Sequence, residues 1–256
     1  MTIIGVIGGV GPHAGLDFVQ KIFSNTLANK DQDHLNCLLI SCPSIIPDRT
    51  GFLLEGTETG ENPANGMFES VRRLYLAGAR LAAVACNTAH ADRIFAPFCS
   101  LVRESLPNMK IINMLETCAT YVKESLQIKR LGLLATIGTH KSRVYHEYFR
   151  EENGFLLIEP DATGQNKIHE AIYNEDFGIK AHSQEISPQA IERINDELLA
   201  LINRGVEAII LGCTELPLAV QDLKSPVPLI DPGFITARRL IELVAPEKLL
   251  PGKCFT

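Results

Sequence analysis

Two cysteines, Cys86 and Cys213, sit in one sequence context used twice, and this duplication constrains the fold more than any other feature. Each ends an apolar run, in "GARLAAVACNTAH" and "GVEAIILGCTELP", and each lies eight residues after a glycine, Gly78 or Gly205, that stops a helix. The segments around them repeat as well. In the first half, strands in "TIIGVIGG", "CLLIS", "LAAVAC" and "KIINML" are accompanied by helices over "LDFVQKIFSNTL" and "MFESVRRLYLAG". In the second half, "RLGLLAT", "FLLIEP", "VEAIILGC" and "VPLIDP" are accompanied by helices over "RVYHEYFREEN" and "PQAIERINDELLALINRG", with a last helix after "VPLIDP". In the long second-half helix, Pro188 begins an apolar stripe of Ile191, Ile194, Leu198, Leu201 and Ile202 at helical spacing, and Gly205 ends it. Alternation of strands and helices predicts a parallel α/β sheet in each half. Both sulfurs then sit at the carboxyl end of the third strand of their half, the edge at which open parallel sheets bind ligands. Two halves facing each other bring both thiols into one cleft.

The opening "GVIGGVGPHAG" contains Gly9-x-Gly11-x-x-Ala14, the glycine spacing of a dinucleotide-binding turn. That reading needs a carboxylate closing the second strand, to hold a ribose hydroxyl. The strand closes instead in Ser41-Cys42-Pro43, and Asp31 and Asp33 lie at its wrong end. The loop is therefore read as a glycine-lined wall admitting a small substrate, with no nicotinamide or flavin.

Composition narrows the partners. At 256 residues the chain suits one large or two small domains. A formal net charge of −6, without a basic run, argues against nucleic acid. The apolar N-terminus lacks a positive leading region and is interrupted by glycines and Asp17, so it does not read as a signal peptide. No segment approaches the roughly 20 apolar residues of a membrane span. Seven scattered cysteines, an odd number, suit reduced thiols in a cytoplasm. Zinc would need a closed ligand set of short spacings, which Cys86 and His90 alone do not make.

"ACNTAH" and "GCTELP", with "IPDRT" and "GVIGGVGPHAGL", resemble the cofactor-independent aspartate/glutamate racemase family, in order and over nearly the whole chain. The resemblance implies two similar doubly wound parallel-sheet α/β domains related by a pseudo-two-fold, here 1–114 with 232–256 and 115–231. It also implies an active site in the cleft between them and racemisation of an acidic amino acid by two cysteines, without pyridoxal phosphate or metal, in a homodimer. Arg49 of "PDRT" takes the substrate-carboxylate role, and Lys180 in "IYNEDFGIK" resembles the lysine that helps bind substrate. Glu215 departs from the Cys-Thr-His pattern of glutamate racemases and matches the aspartate branch.

The residues themselves suit that chemistry. Inverting a carbon by deprotonation needs a base on one face and an acid on the other, and a free thiol's pKa of roughly 8.5 makes both forms reachable near neutrality. Asn87 and Thr88 are expected to cap the following helix, and the backbone N–H groups of Asn87, Thr88 and Ala89 to hold the α-carboxylate. Thr214 occupies the equivalent position in the second half, and Thr136 and Thr139 can add hydroxyls. Arg49 suits a bidentate carboxylate grip, the alternative being a solvated loop arginine; Lys180 has the same surface alternative. Glu215 either assists proton transfer at Cys213 or caps the next helix. His90 either polarises Cys86 or packs in the helix's first turn. Cys37, Cys42, Cys99, Cys118 and Cys254 have no matching partner and are structural or incidental. Competing functions are hydantoin racemisation, for which Arg49 has little purpose, malonate-type decarboxylation, for which Cys86 is superfluous, and non-catalytic binding of acidic amino acids.

Overall fold

The computed structural model describes residues 2–55, 61–221 and 223–252, so Cys254 lies outside the described residues. In the first half the elements run β1 (Ile4–Ile7), α1 (Pro12–Ser24), β2 (Cys37–Ile40), α2 (Arg49–Glu55), α3 (Pro63–Leu76), β3 (Leu81–Val84), α4 (Asp92–Ser105) and β4 (Lys110–Ile112). The second half runs α5 (Met114–Tyr121), β5 (Arg130–Ala135), α6 (Ile137–Ser142), α7 (Val144–Tyr148), β6 (Leu156–Ile158), α8 (Ala162–Tyr173), α9 (Pro188–Asn203), β7 (Ala208–Gly212), α10 (Leu216–Ala219), β8 (Leu229–Ile230) and α11 (Pro232–Val244).

Two four-stranded sheets form, ordered β2-β1-β3-β4 and β6-β5-β7-β8, with every pair parallel. The matching order is the spatial counterpart of the sequence repeat. Helices cover both faces of each sheet, the doubly wound arrangement. Strand alternation explains the layering: Ala82 and Val84 face Met67, Val71 and Phe98 of α3 and α4, whereas Leu81 and Ala83 face Phe18, Ile22 and Leu240 of α1 and α11. In the second sheet Ile209 and Leu211 pack with Ile168, Ile194 and Leu198 of α8 and α9, while Ala208 and Ile210 share a cluster with Leu115 and Tyr145 of α5 and α7. The helix-ending glycines match too, with φ of 99° at Gly78 and 76° at Gly205, a left-handed backbone that favours glycine.

Several helices differ from the sequence reading. α4, the helix expected after Cys86, runs through Pro97 on a buried stripe of Ile94, Phe98 and Val102. Proline cannot bond the carbonyl four residues back, and that group, Arg93 O, accepts instead from Asn62 Nδ2 at 3.0 Å. The segment expected as one helix over 143–153 is helical only over Val144–Tyr148, because the backbone leaves the helical region at Phe149, with φ −103° and ψ 66°. α8, opened by Asp161 accepting from the Gly164 N–H at 2.9 Å, was not separated from its flanking loops.

α11 leaves β8 of the second sheet and packs on α1, and Lys21 of α1 is bridged to Asp17 and, at 2.6 Å, to Asp231. The chain thereby returns to its first half.

Candidate active site

Cys86 lies two residues beyond β3 and Cys213 one beyond β7, each with 6% of its surface exposed. Their turns touch. Thr214 Oγ1 donates to Ala85 O at 3.3 Å, so the residue after one cysteine binds the residue before the other.

On the first-half side, the guanidinium of Arg49 interacts electrostatically with the Cys86 sulfur. Arg49 is buried, which removes the solvated-loop alternative. It donates to Val10 O at 2.5 Å and Pro47 O at 3.3 Å, while its Nε is buried without a hydrogen-bond partner among the described residues. Arg49 opens α2, a helix hidden in the short "PDRT" motif, where Asp48 Oδ2 accepts from the Gly51 N–H at 2.5 Å.

The expected caps do not form. Asn87 Oδ1 accepts from the Tyr145 hydroxyl at 2.7 Å, leaving Nδ2 buried and without a hydrogen-bond partner among the described residues. Thr88 Oγ1 reaches across to Thr139 at 2.8 Å and Thr136 at 3.3 Å. The reason is local: Thr88, Ala89 and His90 form a single tight turn, and α4 starts only at Asp92. The two side chains that were read as helix caps instead bind the facing half.

His90 also departs from its assisting role. Its Nε2 accepts from the Met114 N–H at 3.2 Å, which leaves Nδ1 to donate to Cys86 O at 2.8 Å. Burial pushes its pKa down to about 4, so the ring is neutral and both nitrogens are engaged by backbone. His90 anchors the cysteine's carbonyl and has no free proton for its sulfur.

On the second-half side, Cys213 Sγ donates to Glu215 Oε2 at 2.9 Å, and Lys180 Nζ bonds Glu215 Oε1 at 2.5 Å. Glu215 makes no side-chain cap for α10, so its helix-capping alternative falls, and Lys180 is paired in the site. Burial opposes ionisation of Glu215, but Lys180, the thiol hydrogen bond and Arg49 outweigh it and hold the carboxyl below its usual range. Burial and the Glu215 charge push the Cys213 thiol well up. One sulfur thus lies beside a cation and the other beside a carboxylate.

The glycine loop receives these groups. Gly11 has φ 152°, and a Cβ there would overlap Glu215 Oε1; a Cβ at Gly9 would lie 2.7 Å from Cys42 N. The protein's own atoms cover the glycines that a pyrophosphate would need. A pocket of about 300 Å³ opens beside the loop, with Arg49, Lys180, Glu215, Asp48 and Tyr173 on its walls, a size suited to a small ligand. Tyr145, Asp48 and Tyr173 were missed in the sequence, where nothing local marks their contacts.

Among the described residues no cluster of three or more His, Cys, Asp or Glu is arranged to hold a metal ion, and no disulfide joins the described cysteines. No described helix is long and apolar enough to cross a membrane.

The profile described as Asp/Glu/Hydantoin racemase matches residues 7–240. The chain belongs to this family. Among solved structures it is similar to the aspartate racemase of Picrophilus torridus, with 29% identity, a TM-score of 0.80, and coverage of 98% of this chain and 96% of that one. It is 22% identical to the broad-specificity amino-acid racemase of Bacillus subtilis over 93% of this chain and 96% of that protein. With the glutamate racemase of Pediococcus pentosaceus it shares 27% identity over 65% of its own length and 58% of the relative's, so it spans less than two thirds of that relative.

Proposed function

We propose that this family member is an amino-acid racemase, acting on aspartate or on a wider set including glutamate, with Cys86 and Cys213 as the two proton-transfer groups. The observation that carries the reading is the Thr214–Ala85 bond, which brings two equivalent cysteine turns together at facing sheet edges. In one direction Cys86 removes the α-proton and the Cys213 thiol delivers one to the opposite face; in the other direction the roles exchange. Glu215, at hydrogen-bond distance, takes the Cys213 proton when that sulfur serves as base, and Lys180 balances the charge.

Arg49 Nε and Asn87 Nδ2 support the substrate assignment. Each is a buried donor without a hydrogen-bond partner among the described residues, a state costing about 1–3 kcal/mol, and a carboxylate supplies the missing acceptor. Arg49 then grips the side-chain carboxylate, while Asn87, Thr214 and the backbone N–H groups of Thr88 and Ala89 hold the α-carboxylate, with Lys180 completing the pocket. The Cys213-Thr214-Glu215 sequence, resembling the aspartate branch, and the likeness to an aspartate racemase favour aspartate. A homodimer, and domains of 1–114 with 232–256 and 115–231, belong to the same proposal; α11 packing on α1 supports the return of the C-terminal segment.

Incubation of the purified protein with L- and D-amino acids in heavy water tests the reading. Aspartate should gain α-deuterium and racemise without added pyridoxal phosphate or metal. Cys86→Ser and Cys213→Ser should each lose nearly all racemisation while retaining residual exchange for opposite enantiomers. Wild-type racemisation by either variant would overturn the symmetric mechanism, and binding without exchange would make the protein a sensor.

A further inference from the structure

Tyr173, the last residue of α8, stands at the mouth of the pocket and touches both halves. Its hydroxyl donates to Asp48 Oδ1 at 3.1 Å and lies 3.4 Å from Thr50 Oγ1, so it is bonded to the residues on either side of Arg49. Its ring lies 5.2 Å from the Lys180 ammonium and is stacked by His169. Burial raises the phenol's pKa, keeping it a donor. Among the described residues the hydrogen bonds of Arg49 go to first-half carbonyls, Val10 O and Pro47 O. Its helix meets the other half through Thr50 packed on Gly138 and Leu53 packed on the second-half cluster, contacts without direction, and through the directed bond from Tyr173.

We propose that Tyr173 is a positioning residue: through Asp48 and Thr50 it holds α2, and Arg49 with it, against the second half, while its ring orients Lys180 on the opposite wall. The inference rests on Arg49 as the substrate-carboxylate ligand. Asp48 makes the coupling direct, because the carboxylate that receives Tyr173 also caps the first turn of α2. Loss of the hydroxyl loosens the helix start that aims the guanidinium and opens the cleft over the sulfurs. The tyrosine acts on binding and closure, not on proton transfer.

Tyr173→Phe keeps the ring and deletes the latch. Two readouts test it: steady-state constants for aspartate, and the rate at which iodoacetamide modifies Cys86 without substrate, followed by peptide mass spectrometry. KM should rise about three- to tenfold, the range of one hydrogen bond, with kcat falling less than KM rises. Cys86 should be modified at least about threefold faster, while Cys118, buried under another cluster, keeps its rate and reports that the fold has not loosened generally. Asp48→Ala should add little to Tyr173→Phe in the double variant, because one bond has already gone. An unchanged Cys86 rate, or equal acceleration at Cys118, overturns the latch whatever KM does. If the wild type does not racemise aspartate, faster modification of Cys86 alone still upholds the latch, and the functional reading is what fails.

Discussion

Glu215 shows how much one side chain changes at this site. It accepts from Cys213, binds Lys180, and fills the space over Gly11 that a larger residue would deny it. Because burial and the Glu215 charge both hold the Cys213 thiol up, removing the charge lowers that pKa and enlarges the thiolate fraction near neutrality. Glu215→Gln should therefore speed modification of Cys213 by iodoacetamide at pH 8, about tenfold for each unit by which the pKa falls. Racemisation should nonetheless drop by roughly 10²-fold, the usual loss of a proton-transfer partner. Peptide mass spectrometry beside chiral chromatography measures both; faster racemisation in this variant would count against a proton-transfer role. Cys86, Cys213 and Arg49 were legible as residues because their signals are local. The alternatives at Glu215 and His90 were not decidable there, since each depends on a partner that the neighbouring sequence does not contain.

At the scale of elements, α2 and α6 form a tight joint between the halves. A Cβ at Gly138 would sit 2.8 Å from Thr50 Oγ1 and 2.9 Å from Thr50 Cα, so the helices meet without room for a methyl group. Gly138→Ala must push α2 outward or distort α6. The expected cost is about 1–3 kcal/mol of stability, the range for overpacking, read from the urea midpoint. KM for aspartate should rise as well, because α2 carries Arg49. A variant as stable and as tight-binding as wild type would mean that the joint yields freely. Strands were read well from apolar runs and the long α9 from its stripe. α2 and the early end of α7 at Phe149 were not, since elements of seven and five residues carry little periodicity.

Across the whole molecule the buried charges should set the pH range of stability. Glu215 has a lowered pKa, so its contribution is present above the unfolded value of about 4.3 and is lost as pH falls through the folded value. Lys180 has a raised pKa, held up by the Glu215 and Cys213 charges against the burial that opposes it; its contribution is present below about 10.4 and lost as pH rises through the folded value. Cys213, also raised, favours the fold below about 8.5 and weakens it above, where the unfolded thiol ionises first. Denaturant midpoints should hold level between about pH 6.5 and 8.5 and fall on both sides, the acid fall beginning where the unfolded His90 protonates, because burial keeps its folded ring neutral down to about pH 4. Cys213→Ser should flatten the fall just above pH 8.5; an alkaline limb identical in wild type and variant would remove Cys213 from the account.

By itself the sequence determined the parallel α/β class, the repeat and the strand ends that bear the cysteines. Those features follow from periodicity and short spacings, which belong to contiguous chain. Only the tertiary structure decided that His90 is held by the backbone at both nitrogens, that Asn87 and Thr88 bind the facing half, and that Tyr173 reaches Asp48 across 125 residues. Such contacts depend on how surfaces distant in sequence dock. Burial at that joint, in turn, decides which polar groups must find a partner and which protons they keep.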